Sequence, residues 1–268
     1  MKNILSIARI TFIGGRRDKV FITLIILSVL LFPLIVFAIS PLSMRQVREV
    51  AVSLSLSTIS IISLVLTINL GVNLIYKDIE RRFSHSILSL PISREGYILG
   101  KFIGLAVIIL VGIITLTLFS SIGIAVADKM YRPNVLMSWT NFYAAIYFDY
   151  LSLLILASVT ILVSAISTNI FLPLFSTIGV YIIGYISQTV YDYILSPKGE
   201  ELPKFICLIS KGVYYIFPNL TLFDIKFKAI YNLPLTLDNV LNVTAYSLLY
   251  LVIILTLAMF AFRKREML

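Results

Sequence analysis

The chain has 268 residues, of which 59% are hydrophobic and 13% charged, with a mean hydropathy of +1.01. So few polar residues cannot cover the outside of a soluble domain of this length, which excludes that class. The net charge of +9 suits anionic lipid headgroups, and we expect no binding to nucleic acid. The apolar runs are long and continuous, so they predict an all-α integral membrane protein rather than a β-barrel.

The charged residues divide the chain into predicted membrane spans. The stretch 133–191 holds one charge, Asp149, and is too long for one helix, since about 20 residues cross the hydrocarbon core. It must therefore fold back, and Ser167-Thr168-Asn169 is the predicted turn, with Pro173 just inside the next helix. The six predicted spans are residues 20–40, 50–76, 102–127, 143–166, 171–194 and 240–262.

Orientation follows from the basic residues. The N-terminal segment, the charged segment 76–101 and the C-terminal tail hold thirteen Lys and Arg residues, against nine on the other side. The densest clusters all belong to the first group, and such clusters face the cytoplasm. Both termini and the segment 76–101 are therefore predicted to be cytoplasmic.

Two segments outside the spans have their own patterns within what reads as a single membrane domain, 1–268. Residues 1–13 are amphipathic, which predicts a short interfacial helix that Gly14-Gly15 ends before a basic segment reaching residue 19. A disordered terminus is the alternative. In the extracytoplasmic connection 195–239, the aromatic stretch 203–231 is broken by Pro218 and predicts one or two amphipathic helices that rest in, or re-enter, the outer leaflet.

The charged segment 76–101 contains a second amphipathic pattern. Ile79, Phe83, Ile87 and Leu90 recur at spacings of four, four and three, which predicts one apolar stripe on a helix of about four turns. Pro91 should end this helix, and Ser93 can cap the next one. The pattern fits either an ordinary interfacial helix or a docking helix that meets a cytoplasmic partner and moves spans two and three.

The amino-acid sequence of this segment resembles a family signature. Glu80-Arg81-Arg82, then ILSLPISR at 87–94 and YILGK at 97–101, resemble the signature of ABC-2-type transporter permeases. The six-span layout, the N-terminal helix and the broken aromatic segment before the last span are also similar to that family. Within it, the chain is nearest to permeases of nitrous oxide reductase (multicopper enzyme) maturation. It departs from many members at Phe83-Ser84, where they carry a Gly-Thr pair.

The resemblance implies the permease subunit of an ATP-driven exporter in the plasma or inner membrane of a bacterium or archaeon. Such a permease pairs with a second permease chain, identical or homologous, and binds two separate ABC ATPase subunits. ATP and magnesium would be held by those partners, and this chain would bind no cofactor. The turn residues Thr168 and Asn169 would form a second cytoplasmic contact. The coupling residues implied in 76–101 are Lys77, Asp78, Glu80, Arg81, Arg82, Phe83, His85, Ile87 and Arg94.

The sequence lacks the residues that membrane enzymes need. It contains no G-x-x-x-x-G-K-[ST] phosphate loop, and His85, its one histidine, lies in the charged segment. Cys207 stands alone, so neither a disulfide nor a metal site is expected. A polytopic enzyme is therefore the least favoured class. The alternative to a transporter is a membrane anchor or assembly scaffold that holds a cytoplasmic partner without transport.

Two groups of polar residues lie within the predicted spans. Asp149 is either an outer interfacial residue among aromatic neighbours or a proton or substrate contact. Span two carries hydroxyl and amide side chains that either permit close helix packing or line a translocation path at the interface between permeases. These span-two residues are Ser53, Ser57, Ser60, Thr67, Asn69 and Asn73.

Overall fold

The computed structural model describes residues 2–27, 30, 47–80, 93–130, 138–167, 169–197 and 203–264, with the backbone alone at 2–3, 47, 75–80 and 127–130. These ranges are overwhelmingly helical and contain no β-strand, which confirms the predicted all-α class. The helices are α1 (Lys2–Arg16), α2 (19–27), α3 (Val47–Glu80), α4 (Arg94–Met130), α5 (Trp139–Ile166), α6 (Phe171–Leu195), α7 (Lys204–Ile216), α8 (Lys226–Ile230) and α9 (Leu237–Lys264), with a 3₁₀ turn at Leu220–Phe223.

Five of the described helices are long and apolar enough to cross a membrane, namely α3, α4, α5, α6 and α9. They coincide with predicted spans two to six. The segment from α7 to α8 also passes the length and composition test when it is taken as one span bent by 48°. Its membrane position stays a prediction. Predicted span one begins with α2, and most of its residues lie outside the described ranges.

The helices on both sides of the charged segment are longer than their predicted spans. α3 runs without a break to Glu80, and α4 begins at Arg94, so each helix extends beyond its membrane span into the charged segment. Ser93 caps α4 as predicted: its Oγ accepts the Gly96 N–H at 3.1 Å and its carbonyl accepts the Tyr97 N–H at 3.0 Å. Residues 81–92, including Pro91, lie outside the described part.

The predicted turn between spans four and five is confirmed. α5 ends at Ile166 and α6 begins at Phe171. The Asn169 Oδ1 accepts the Leu172 N–H at 3.0 Å, which satisfies one of the free donors at the start of α6. Pro173 stands in the first turn of α6, where its missing N–H costs no helical hydrogen bond.

α5 lies at the centre of the bundle. Every residue from Leu151 to Ile161 is buried, and α3, α4, α6 and α9 all pack against this helix. α3 and α5 run in the same direction, because Ser60 meets Asp149 and Gly71 meets Thr160, eleven residues further along both helices. Glu80 and the turn at 167–169 therefore lie at the same end of the bundle.

The predicted break at Gly14-Gly15 is wrong, because α1 continues to Arg16. Gly15 serves close packing instead of ending the helix: a Cβ there would collide with the Ile108 side chain of α4. Earlier on α4, a Cβ on Gly100 would lie 2.7 Å from the Ile7 Cβ, and one on Gly104 would lie 2.5 Å from the Thr11 Cβ. α1 therefore packs lengthwise along the first turns of α4, in the same direction. Its location in the membrane interface stays a prediction.

Candidate functional site

The implied coupling residues are only partly within the described structure. Those on α3 stand in its last turn, and Arg94 is the first residue of α4. Their docking role stays a prediction. On α3 these are Lys77, Asp78 and Glu80, and the residues outside the described ranges are Arg81, Arg82, Phe83, His85 and Ile87.

Arg94 connects the start of α4 to the end of α9. Its guanidinium donates to the Arg263 carbonyl at 2.9 Å, in the last turn of α9, where a cation is favourable for the helix dipole. One turn further along α4, the Tyr97 ring stacks on Phe262 with the ring centroids 5.4 Å apart. The end of the bundle from which the charged segment leaves is therefore fixed by contacts between α4 and α9.

The second implied contact is the turn between α5 and α6. The Ser167 Oγ donates to the Asn169 carbonyl at 2.7 Å and accepts the Asn169 N–H at 3.1 Å. Thr168 lies outside the described residues. The Asn169 Oδ1 already accepts the Leu172 N–H in the first turn of α6.

The hydroxyl residues of α3 face other helices of the same chain. Ser60 donates to Asp149 on α5, and Thr67, on the same side of α3, is fully buried and donates to the Ser63 carbonyl at 2.7 Å. Gly71 continues this side, and a Cβ there would lie 3.0 Å from the Thr160 Cγ2. This geometry favours the close-packing interpretation, in which small side chains let two membrane helices approach.

Ser53 and Ser57 continue the same side of α3 toward its start and are half-buried. Asn69 and Asn73 lie on a different side of α3. Asn69 follows Ser60 by nine residues, which is half a turn out of phase on an α-helix. The Asn73 Nδ2 donates to the Asn69 carbonyl at 2.9 Å and to its Oδ1 at 3.1 Å, so this pair bonds along its own helix.

Asp149 lies ten residues into α5, about 15 Å along the helix from Trp139. Its Oδ1 accepts the Ser60 hydroxyl at 3.0 Å. Its Oδ2 is buried and has no hydrogen-bond partner among the described residues. The structure thus brings together two residues that the sequence placed in separate groups, one on span two and one on span four.

A covering segment, residues 219–233, packs against α3, α5 and α6. Its Leu220 is fully buried against α6, where a Cβ on Gly184 would lie 2.7 Å from the Leu220 Cγ. The Thr221 hydroxyl donates to the Tyr185 carbonyl at 3.0 Å, and the Asn141 amide of α5 donates to the Leu233 carbonyl at 2.9 Å. These bonds fix the segment to α5 and α6.

Two tyrosines of α6 and one lysine interact electrostatically with Asp149. Tyr181 and Tyr185 form an edge-to-face pair with centroids 4.9 Å apart, and the charge of Asp149 reaches both hydroxyls. The positive charge of Lys226, in the covering segment, acts on Asp149. Sequence reasoning missed these three residues. The spacing of the tyrosines by four residues was a usable signal, but nothing local connects them to Asp149. Over the described ranges, no group of three or more His, Cys, Asp or Glu side chains could hold a metal ion.

Comparison with known proteins gives one family. The model described as "ABC-2 family transporter protein" matches residues 5–267, nearly the whole chain. No curated protein matches the chain at a significant level.

Proposed function

Because the chain belongs to the ABC-2 transporter family, we propose that it is the permease subunit of an ATP-driven exporter. It works as a dimer with a second permease chain, identical or homologous, in the plasma or inner membrane of a bacterium or archaeon. Two separate ATPase subunits bind ATP and magnesium and dock on residues 76–101. The chain itself carries out no chemistry and binds no cofactor.

Family membership supports a transport subunit that is itself a multi-pass membrane protein and that associates with ABC ATPases. The observation that carries the finer proposal is the continuity of α3 and α4. The charged segment leaves from an α3 that is unbroken back to Val47, and it returns at an α4 that is unbroken on to Met130. A push on this segment is therefore passed to two membrane helices, since no flexible joint precedes Glu80 or follows Arg94.

Contacts between other helices also lie at this end of the bundle. α1 packs along the first turns of α4, and Arg94 holds the end of α9. A displacement of α4 is thus shared by α1 and α9. This arrangement supports a switch that moves several helices together, which is what alternating access requires.

The test is a charge reversal on the coupling segment. Glu80→Lys should lower both co-purification of the ATPase and ATP turnover of the reconstituted complex, because a reversed charge at a buried contact costs a few kcal/mol. Phe83→Ala should lower both as well. The matched control is Lys211→Glu, an exposed charge reversal on α7, which should leave both unchanged.

Two outcomes would contradict the proposal. Full ATPase association in both variants would make the segment an ordinary interfacial helix. Normal association with no movement of any substrate by the wild-type complex would favour a scaffold that holds its partner without transport.

A further inference from the structure

The carboxylate of Asp149 has one oxygen bonded and one oxygen buried without a partner. Its Oδ1 accepts the Ser60 hydroxyl, while Oδ2 has no donor among the described residues. An ionised carboxylate accepts several hydrogen bonds, and a buried charge without a partner is costly. Within the described part of the chain, Oδ2 therefore lacks a hydrogen-bond donor.

Groups of two further elements interact electrostatically with this carboxylate. α6 contributes the Tyr181–Tyr185 pair. The covering segment contributes Lys226 and Asp224, whose charges act on Asp149 in opposite directions. Lys226 forms no ion pair with Asp149, so it supplies a distant positive charge and leaves Oδ2 open.

A buried carboxylate oxygen without a donor matches the chemistry of a cationic amino group. Its N–H groups would donate to Oδ2 in charge-assisted bonds. An anionic ligand would be repelled by Asp149, and an apolar ligand would leave Oδ2 unpaired. We infer that Ser60 and Asp149 form a binding site for a cationic amino group of the exported substrate.

This inference rests on the proposed function and gives the chemical class of the substrate. Ser53 and Ser57 continue the Ser60 side of α3 toward Val47 and carry half-buried hydroxyls. Leu220 and Phe223 of the covering segment are buried in the bundle.

The test uses phenethylamine as the probe and 2-phenylethanol, which has a hydroxyl in place of the ammonium, as its neutral control. Thermal unfolding of the purified complex is followed over a concentration series of each compound. Phenethylamine should raise the Tm of the wild-type permease, because a ligand that binds the folded state stabilises it, and 2-phenylethanol should not. The Asp149→Asn variant keeps an acceptor for Ser60 but loses the charge, and its apparent affinity should fall about tenfold or more.

Asp192→Asn is the matched control, since Asp192 is an exposed carboxylate on the same α6 as the tyrosines and bonds to Gln188. It should bind the probe like the wild type. An equal Tm rise in Asp149→Asn, an equal rise with 2-phenylethanol, or no rise with phenethylamine would each overturn the inference. ATPase co-purification is measured on the same samples. If the ATPase does not co-purify with the wild-type permease, the proposed function is rejected. If it does co-purify but amine binding does not depend on Asp149, only this inference is rejected.

Discussion

A methyl group added at Gly104 should separate α1 from α4. In Gly104→Ala the new Cβ would lie 2.5 Å from the Thr11 Cβ and 2.8 Å from the Ala8 carbonyl oxygen, whereas carbon atoms in ordinary contact are 3.4–4 Å apart. The oxygen belongs to the α1 backbone, so no side-chain rotation relieves the clash. The two helices must move apart by about 1 Å, which forfeits a quarter to a half of the dispersion energy of each contact along the seam.

Overpacking of this kind costs about 1–3 kcal/mol, while alanine in a helix gains up to about 1 kcal/mol over glycine. The control that isolates the clash is Gly179→Ala on α6, where a Cβ would meet nothing within 4 Å. The free energy of unfolding is measured by SDS titration in mixed micelles, with helix content as the signal. We expect Gly104→Ala to be less stable than Gly179→Ala by about 1–3 kcal/mol.

A local measurement separates detachment of α1 from general destabilisation. Arg9 is exposed on α1, and trypsin cleaves there only when the helix opens locally. Cleavage at Arg9 should be faster in Gly104→Ala than in Gly179→Ala. If the two variants have the same unfolding free energy and the same cleavage rate, the close approach of α1 to α4 is refuted.

Two other predictions concern topology and the covering segment. With Cys207 replaced by Ser, a cysteine at Lys211 should react with an impermeant thiol reagent in intact cells, and one at Lys264 should not; labelling at position 264 would reverse the predicted orientation. Asn141→Leu removes the bond to the Leu233 carbonyl and should lower the free energy of unfolding by about 1 kcal/mol. It should also speed tryptic cleavage after Lys228, unlike Asn73→Leu, whose bonds stay within α3.

The spans could be predicted because their signal is local and strong. Long apolar runs gave five helices that the structure confirms, and the length of the stretch around Asp149 required a turn that Ser167 and Asn169 do form. The cap at Ser93 could also be predicted, because a serine before a helical pattern can accept a hydrogen bond from a free N–H group of the first turn.

The glycines could not be interpreted from sequence alone. Gly14-Gly15 has the composition of a helix end, yet Gly15 lies within α1, where the Ile108 side chain packs against it. The same logic applies to Gly100 and Gly104, whose purpose depends on which residues of α1 face them. A glycine that permits close approach is identical in sequence to one that ends a helix, and only the packing partner distinguishes the two.

The candidate binding site was also beyond sequence reasoning, for a different reason. Ser60 and Asp149 are 89 residues apart, and their hydrogen bond follows from how α3 packs on α5. Each residue was identified as polar within a span, but the pairing needs the relative rotation of two helices, which periodicity does not fix. The electrostatic interaction of the α6 tyrosines with Asp149 depends on helix packing in the same way.

The unbroken length of α3 has a mechanical consequence. Its 34 residues form a rod about 51 Å long, whereas the hydrocarbon core is about 30 Å thick. Gly71 approaches Thr160 closely on this rod, about 14 Å from the Glu80 end and about 36 Å from the Val47 end. If α3 tilts about that contact, a small sideways shift at Glu80 becomes an opposite shift roughly two and a half times larger at Val47. α3 would then act as a lever with its short arm at the charged segment.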